Sequence, residues 1–200
     1  MINITQRGRA VNLFKREVIQ MSKNILVINT SLHGRSNSEL LAEAFIEGAR
    51  SAGNRVEKVT LKDKTIAFCK GCLACQTLGA CVIQDDAISI TEKMEKADVI
   101  VWSTPIYYYE MSGQMKTMID RANSLYLTDY AFRDIYLLTA AAEEGEGVDA
   151  GVIHGLEGWI ACYEKARLAG TVFAGGVNAG GEIEGHKALK EAYDMGKAIS

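Results

Sequence analysis

The sequence predicts an α/β protein built on a doubly wound parallel sheet. Short apolar runs alternate with segments in which apolar residues recur at helical spacing, and this pattern continues from residue 25 to residue 199. Continuous apolar runs such as Ile25–Ile28 and Val99–Trp102 are typical of strands that are buried on both faces. Strands that are each followed by a helix favour right-handed crossovers, which cover both faces of a single sheet.

The predicted elements follow one another without a repeat or linker that would divide the chain. Strands are predicted at Ile25–Ile28, Val56–Leu61, Val99–Trp102, Ile135–Leu138 and Thr171–Ala174. Helices are predicted at Ser36–Ala52, Asp85–Lys96, Met111–Leu125, Ile153–Arg167 and His186–Ile199. Residues 1–20 are interpreted as a loosely ordered N-terminal extension, and residues 21–200 as one domain.

Composition and charge exclude several classes of function. The chain has 200 residues and a net charge of −3, so it lacks the basic surface that nucleic-acid binding requires. No apolar run approaches the ~20 residues of a membrane-spanning helix. The first twenty residues lack the apolar core of a secretory signal, which indicates a cytoplasmic protein. Its five cysteines are therefore expected to be reduced rather than paired as disulfides.

Strand order decides where a site would lie. In the flavodoxin-like order 2-1-3-4-5, the switch point lies between the first and third strands. The loops that follow Thr30 and Thr104 then lie side by side at the carboxyl edge of the sheet. We expect this five-stranded, flavodoxin-like arrangement and a ligand crevice between the two loops.

The loop after the first strand has the composition of a phosphate site. Residues 30–38 read Thr-Ser-Leu-His-Gly-Arg-Ser-Asn-Ser and lead directly into a predicted helix, whose amino end offers unpaired N–H groups. The glycine spacings of dinucleotide and triphosphate loops are absent, so a phosphomonoester is the favoured ligand. A helix that is simply well capped is the alternative. The candidate donors are Ser31, Arg35, Ser36, Asn37 and Ser38.

The loop after the third strand predicts one wall of a flat pocket. It contains the only proline in the chain, Pro105, followed by Ile106 and three tyrosines. Proline fixes its own φ, so this aromatic segment is expected to be held in place. Tyr107 and Tyr108 are interpreted as pocket residues, whereas Tyr109 is expected to pack against a neighbouring element or at a dimer contact.

Three segments together resemble the NADPH-dependent FMN reductase branch of the flavodoxin superfamily: Ser31–Ser38, Ser103–Tyr107 and Lys116–Arg121. The cysteine spacing, with Asp85 and Asp86 after it, resembles the iron–sulfur flavoprotein subgroup of that branch. The resemblance extends from about Lys23 to the C-terminus. Asp120 and Arg121 match the family pattern, and a structural ion pair explains them equally well.

The resemblance implies an FMN cofactor and a role in electron transfer. The phosphate would lie at Ser31, Arg35, Ser36, Asn37 and Ser38, and the ring against Pro105, Ile106, Tyr107 and Tyr108. Thr139 and Ala140, after the fourth strand, would contribute to the third loop of the site. The family also implies hydride transfer from NAD(P)H, onward reduction of a small acceptor, and assembly as a homodimer or homotetramer. No side-chain acid or base is required, so no catalytic residue is assigned.

Four of the five cysteines form a compact motif with the spacing C-x2-C-x2-C-x5-C: Cys69, Cys72, Cys75 and Cys81. Closely spaced thiolates of this kind can ligate one iron–sulfur cluster. The subgroup resemblance implies a [4Fe–4S] cluster, while unliganded thiols, zinc and a redox-active pair stay open as alternatives. Cys162 lies apart from the motif in a predicted helix and is expected to be buried.

Three functions follow from these motifs. The leading hypothesis is an FMN-dependent oxidoreductase that passes electrons from NAD(P)H to a quinone, a flavin or another small acceptor. The second is an iron–sulfur flavoprotein that carries electrons to protein partners, which the cysteine motif favours. The third is a thiol- or zinc-based redox sensor on an inherited fold. Oxidation of NADPH by the purified protein would separate the first hypothesis from the second.

Overall fold

Six strands form one sheet in the computed structural model, which describes residues 22–200. The strands are β1 (Asn24–Asn29), β2 (Arg55–Thr60), β3 (Val99–Tyr107), β4 (Glu110–Met111), β5 (Asp134–Ala140) and β6 (Arg167–Ala174). The helices are α1 (Asn37–Ser51), α2 (Ala74–Leu78), α3 (Asp86–Lys96), α4 (Gly113–Arg121), α5 (Ala150–Ile160) and α6 (Lys187–Lys197). The N-terminal extension expected at residues 1–20 lies outside the described residues.

The sheet has the predicted doubly wound topology. Its five long strands are parallel and lie in the order β2-β1-β3-β5-β6, while the two-residue strand β4 pairs antiparallel with the end of β3. Counted without β4, this is the expected order 2-1-3-4-5. The flavodoxin-like fold class is confirmed, and the loops after β1 and β3 meet at the switch point.

Each face of the sheet carries its own apolar core. Side chains alternate along β1, so that Ile25 and Val27 face α1 and α6, whereas Leu26 and Ile28 face the core of α3, α4 and α5. All four are at most 2% exposed. Burial on both faces is why these strands appear in the sequence as continuous apolar runs rather than alternating ones.

Side-chain caps fix where the helices around the site begin. Ser36 accepts a hydrogen bond from the Glu39 N–H at the start of α1, and Ser112 accepts one from the Met115 N–H at the start of α4. Asp85 caps α3 in the same way. These caps place the amino ends of α1 and α4 directly after the loops of the switch point.

The structure departs from the predicted elements at three places. The predicted helix Met111–Leu125 is divided, because Met111 belongs to β4 and a 3-10 segment at Ala122–Leu127 follows α4. The helix predicted at Ile153–Arg167 runs instead from Ala150 to Ile160. Cys162 therefore lies in the turn after this helix and is exposed, so the expectation that it is buried was wrong. The short helix α2, within the cysteine motif, was not predicted.

Within residues 22–200, no helix is both long and apolar enough to cross a membrane.

Candidate functional site

Hydroxyl groups fasten the two loops of the switch point together. The Thr30 N–H and hydroxyl both donate to the Ser103 carbonyl, at 2.9 and 3.0 Å. The Ser112 hydroxyl lies 3.0 Å from that of Thr30 and accepts from that of Thr104 at 3.1 Å. The Ser103 hydroxyl donates to the Ser38 carbonyl at 2.6 Å. These side chains are buried, so the network holds the first turn of α1 in register with the end of β3.

A crevice opens above this network at the carboxyl ends of the parallel strands. Its volume is about 240 Å³. It brings together three loops expected from the sequence, namely those after β1, β3 and β5, and adds a fourth loop after β6. The lining residues are Ser31, His33, Ser36, Asn37, Ser38, Pro105, Ile106, Tyr107, Ala140, Ala141, Ala142, Val177, Asn178 and Gly180.

Hydroxyls and helix-terminal N–H groups supply the phosphate end of the crevice. Ser31, Ser36 and Ser38 line it, and the Ser36 and Ser38 hydroxyls are 3.3 Å apart. The first turn of α1 adds N–H groups that have no partner within the helix. Together these donors fit a phosphate monoester.

The Asn37 side chain lines the crevice and joins two of its loops. Its oxygen accepts hydrogen bonds from the backbone N–H groups of Gly181 and Ile183, at 3.1 and 3.2 Å. Its nitrogen donates to the Ala179 carbonyl at 2.9 Å. Asn37 therefore fastens the loop after β6 to the start of α1 and shapes the crevice from behind.

Three of the predicted binding residues do not line the crevice. Arg35 has a positive φ of 54°, and its exposed guanidinium donates to Glu184 at 2.9 Å. Thr139 is buried, and its hydroxyl donates to the Val172 carbonyl at 3.4 Å. Tyr108 is 99% exposed and extends into solvent from the tip of the β3–β4 hairpin.

The aromatic wall ends in a strained turn. Tyr108 and Tyr109 are the two central residues between β3 and β4, and their φ values are 51° and 65°. Left-handed backbone at both positions is the geometry of a type I′ hairpin, which ordinarily favours glycine or asparagine. The Tyr109 hydroxyl donates to Glu143 at 3.1 Å, so this tyrosine joins the hairpin to the loop after β5. Tyr109 is half exposed, and its packing against a neighbouring element or at a dimer contact stays a prediction.

The loop after β6 is the part of the crevice that the sequence analysis missed. Val177, Asn178 and Gly180 line the crevice from this loop. The segment 175–181 reads Gly-Gly-Val-Asn-Ala-Gly-Gly, directly after a buried strand. A glycine-rich segment at the carboxyl edge of a parallel sheet permits close approach of a ligand to the backbone, and this signal would have identified the loop.

The four-cysteine motif surrounds a second cavity. This cavity has a volume of about 30 Å³ and shares no lining residue with the crevice. It is lined by all four cysteines of the motif: Cys69, Cys72, Cys75 and Cys81. Two of the sulfurs accept hydrogen bonds: Cys69 from the Gly71 N–H at 3.4 Å and Cys75 from the Asn123 amide at 3.3 Å. Such donors commonly support sulfur ligands of a metal centre.

A buried ion pair lies beside this cavity. The Arg121 guanidinium donates to both carboxylate oxygens of Asp85, at 2.6 and 2.9 Å, and to the carbonyls of Ala67 and Ile83 at 2.8 and 3.0 Å. Burial alone would raise the pKa of Asp85, but hydrogen bonds from Arg121 and from two backbone N–H groups outweigh it and lower that pKa. Asp120 pairs separately with Lys116, so the family-like Asp120 and Arg121 enter two different ion pairs.

The donor set of this cavity fits an iron–sulfur cluster in number and chemistry. Four thiols share one cavity, and the buried Arg121 Nε has no hydrogen-bond partner there. An unpaired buried donor costs about 1–3 kcal/mol, and a sulfur that carries negative charge would accept from it. Among residues 22–200, no three His, Cys, Asp or Glu side chains are arranged so that they could hold a metal ion. The four thiols would therefore have to move closer together to become ligands.

Comparisons with known proteins agree with the fold and the motifs. The sequence profile of the NADPH-dependent FMN reductase family matches residues 23–194. An iron–sulfur flavoprotein of Archaeoglobus fulgidus is 38% identical over 110 residues, which are 55% of this chain and 54% of that protein. An iron–sulfur flavoprotein of Methanosarcina thermophila is 28% identical over 144 residues, 70% of this chain and 74% of that protein. The chain spans about half the length of several curated relatives that it matches.

A solved structure shows the same fold at low sequence identity. The NAD(P)H:quinone oxidoreductase from Methanothermobacter marburgensis superposes with a TM-score of 0.68 and 16% identity, covering 88% of this chain and 96% of that one. This likeness supports the sheet topology and nothing finer. Because the family profile spans most of the sequence and the expected fold is present, the chain belongs to the NADPH-dependent FMN reductase family and has FMN as its cofactor.

Proposed function

We propose that this protein is an FMN-dependent oxidoreductase that oxidises NAD(P)H and reduces a small acceptor such as a quinone or a free flavin. The observation that carries this proposal is the crevice at the switch point, with phosphate donors at one end and the Pro105–Tyr107 wall at the other. Bound in this crevice, FMN would supply the redox chemistry that links a nicotinamide donor to an acceptor. The match to the NADPH-dependent FMN reductase family supports a nicotinamide donor and a small acceptor such as a flavin.

We infer that the first turn of α1 binds the phosphate, through Ser31, Ser36, Ser38 and the backbone at Asn37. In this arrangement the Asn37 side chain stays engaged with the loop after β6. Arg35 reaches the phosphate only if its guanidinium leaves Glu184. Since that surface ion pair is exposed, exchanging it for a phosphate costs little.

The ring would lie against Pro105, Ile106 and Tyr107, with Ala140 opposite. A crevice of about 240 Å³ is smaller than the roughly 300–1,000 Å³ of ordinary ligand pockets, so part of the cofactor would remain at the surface. An exposed ring face allows the nicotinamide and the acceptor to approach in turn. Tyr108, at the rim, contacts a ligand only outside the crevice, and Thr139 supports the strand beneath it.

The residues of the crevice bind and orient rather than exchange protons. No lining side chain carries a carboxyl group, and the titratable side chains among them are His33 and Tyr107. Catalysis would therefore depend on placing the nicotinamide carbon close to the ring, within about 3–3.5 Å.

The first experiment is a pair of binding and turnover measurements. Protein purified without oxygen is titrated with FMN and with riboflavin, which lacks the phosphate, and is then mixed with NADH or NADPH. We expect much tighter binding of FMN than of riboflavin and loss of the flavin absorbance on addition of NAD(P)H. Equal affinities would contradict the phosphate site. A bound flavin that neither nucleotide reduces would contradict the oxidoreductase assignment.

A second candidate function is favoured by the four-cysteine cavity. We propose that Cys69, Cys72, Cys75 and Cys81 hold a [4Fe–4S] cluster, which would make the protein an electron carrier for protein partners. The unpaired Arg121 Nε beside the cavity and the names of the iron–sulfur relatives support this proposal. Analysis of iron, sulfide and zinc in anaerobic protein tests it. Replacing Cys75 by serine should abolish iron binding, while the exposed Cys162→Ser serves as the matched control.

We further infer a homodimer or homotetramer in a cytoplasmic compartment. The exposed tyrosines 107–109 beside the crevice form an aromatic patch of the kind that subunits bury. A reducing, cytoplasmic compartment keeps closely spaced thiols such as Cys69, Cys72 and Cys75 from pairing as disulfides. Light scattering of the FMN-loaded protein measures the assembly, and a monomer would contradict it.

A further inference from the structure

The cysteine loop, residues 68–83, has little packing of its own. None of the residues of α2 is buried, and Gly71, Leu73 and Gly79 all have left-handed backbone. The loop departs from the body of the protein near Ala67 and returns near Ile83. Asn123 contacts the middle of the loop at Cys75, and the remaining side-chain hydrogen bonds that hold the loop act at its ends.

Arg121 contacts both ends of this loop. One terminal nitrogen of its guanidinium donates to the Ala67 carbonyl, and the other donates to the Ile83 carbonyl. Both nitrogens also donate to Asp85, which in turn accepts from the Ala67 N–H at 2.9 Å. The Arg121 side chain is 0% exposed, so these contacts are made without competition from water.

The remaining donor of the guanidinium lies beside a sulfur. Arg121 and Cys81 line the same cavity, and the Arg121 Nε is buried there without a hydrogen-bond partner. Asp120, the acidic residue that lines the cavity, forms an ion pair with Lys116. Among the described residues, the Cys81 sulfur is therefore the natural acceptor for the unpaired Nε–H.

We propose that Arg121 is the positioning residue of the four-cysteine site: it ties both ends of the cysteine loop to Asp85 and presents its Nε–H to the Cys81 sulfur when that sulfur ligates a metal. This inference rests on the metal site proposed above. A liganding thiolate carries negative charge, so a fixed guanidinium beside it stabilises the ligated state. The same positive charge favours the more negative, reduced state of a cluster and raises its reduction potential.

The test uses the full chain with FMN bound, reconstituted anaerobically with iron and sulfide. Arg121→Gln removes the positive charge. Arg121→Lys keeps the charge, but a single ammonium group cannot donate to the carbonyls of Ala67 and Ile83 and to both carboxylate oxygens of Asp85 at once. The exposed ion pair of Arg167 and Asp134 supplies the control, Arg167→Gln. The measurements are iron per chain, the reduction potential of the cluster, and hydrogen exchange at residues 66–84 of the metal-free protein.

We expect Arg121→Gln to weaken iron retention about tenfold or more and to shift the potential of any remaining cluster to more negative values. We expect Arg121→Lys to restore most of the potential but not the protection of the loop from exchange. Wild-type values in both variants would overturn the proposal. If the loop loses its protection from hydrogen exchange but the reduction potential of the cluster is unchanged, Arg121 does not contact the Cys81 sulfur. Its role is then structural only, which contradicts the proposal.

The experiment also distinguishes failure of the metal site itself from failure of the Arg121→Gln variant to fold. Wild-type protein that takes up no iron would overturn the metal site and this role of Arg121, while FMN binding would still stand. If Arg121→Gln does not fold, the wild-type chain provides the answer through the Nε–H resonance of its arginines in 15N-edited spectra. One such resonance should shift when the cluster is loaded, and the absence of any shift would overturn the proposal.

Discussion

At the scale of single residues, the Asn37 amide links two loops of the crevice. Its oxygen satisfies the N–H groups of Gly181 and Ile183, and its nitrogen satisfies the Ala179 carbonyl. The other side-chain contact between this loop and the start of α1 is the ion pair of Arg35 with Glu184, which is exposed and contributes less. A change at Asn37 should therefore affect both the stability of the fold and the shape of the phosphate end.

Asn37→Ala is expected to lower the free energy of unfolding by about 2 kcal/mol, because buried N–H groups lose their acceptor. It should also weaken FMN binding. The matched control is Asn54→Ala, since Asn54 is equally buried but joins Lys23 and Ile199 at the opposite edge of the sheet. Urea unfolding and FMN titration check both effects. If the two variants bind FMN equally well, Asn37 does not shape the crevice.

The Asp85 carboxylate makes stability depend on acid pH. Its pKa lies below the ordinary value of about 3.9, so its pairing with Arg121 stabilises the fold fully above that pH and is lost as the pH falls through the lowered pKa. Asp85→Asn leaves a buried arginine without its counter-charge and should cost about 3 kcal/mol at neutral pH. The difference from wild type should shrink below pH ~4.

Unfolding midpoints measured from neutral to acid pH test this prediction. Asp129→Asn is the control, because its ion pair with Lys165 is exposed and should contribute far less. A difference between Asp85→Asn and wild type that stays constant with pH would contradict the linkage.

At the scale of elements, α1 and α6 pack through two glycines. A Cβ atom on Gly48 would lie 1.9 Å from the Tyr193 carbonyl oxygen, and one on Gly196 would lie 2.1 Å from that of Phe45. These distances are far below van der Waals contact and involve backbone atoms, so the two helices would have to separate. The contact holds the helix that begins at the phosphate loop against the sheet.

Gly48→Ala is expected to destabilise the fold by about 2 kcal/mol, because overpacking costs more than the gain in helix propensity returns. Gly158→Ala, in the last turn of α5, has open space around the added methyl group and should stabilise by up to about 1 kcal/mol. Thermal unfolding of the two variants distinguishes close packing from a general preference for alanine. Stabilisation by both substitutions would contradict the close approach of α1 and α6.

At the scale of the whole molecule, the crevice joins four loops that follow β1, β3, β5 and β6. A ligand that contacts all four adds its binding free energy to the stability of the fold. FMN at about a hundred times its dissociation constant should raise the unfolding free energy by about 2.7 kcal/mol. Riboflavin at the same concentration should do less, because it lacks the phosphate.

A negative charge introduced into the crevice tests whether the phosphate of FMN binds beside the loop after β6. Asn178 lines the crevice, so Asn178→Asp should repel the phosphate and reduce the stabilisation by FMN, whereas Asn178→Gln should largely preserve it. Thermal shifts with and without FMN measure both variants. An equal shift in the two would contradict the placement of the phosphate beside the loop after β6.

The sequence by itself determined the class of fold and the approximate site. Apolar runs set the five parallel strands, and the phosphate-loop and Pro105 segments identified two sides of the crevice, because both signals are local in the chain. The cysteine motif identified its own cavity for the same reason. FMN and the reductase family followed from a resemblance that the family profile confirms.

Only the tertiary structure decided which side chains meet. The Asn37 side chain joins the start of α1 to the loop after β6, and Arg121 pairs with Asp85 rather than with its neighbour Asp120. Cys162 became exposed because α5 ends at Ile160. These outcomes depend on contacts between residues far apart in the chain, and no local pattern encodes which partner a buried polar group finds.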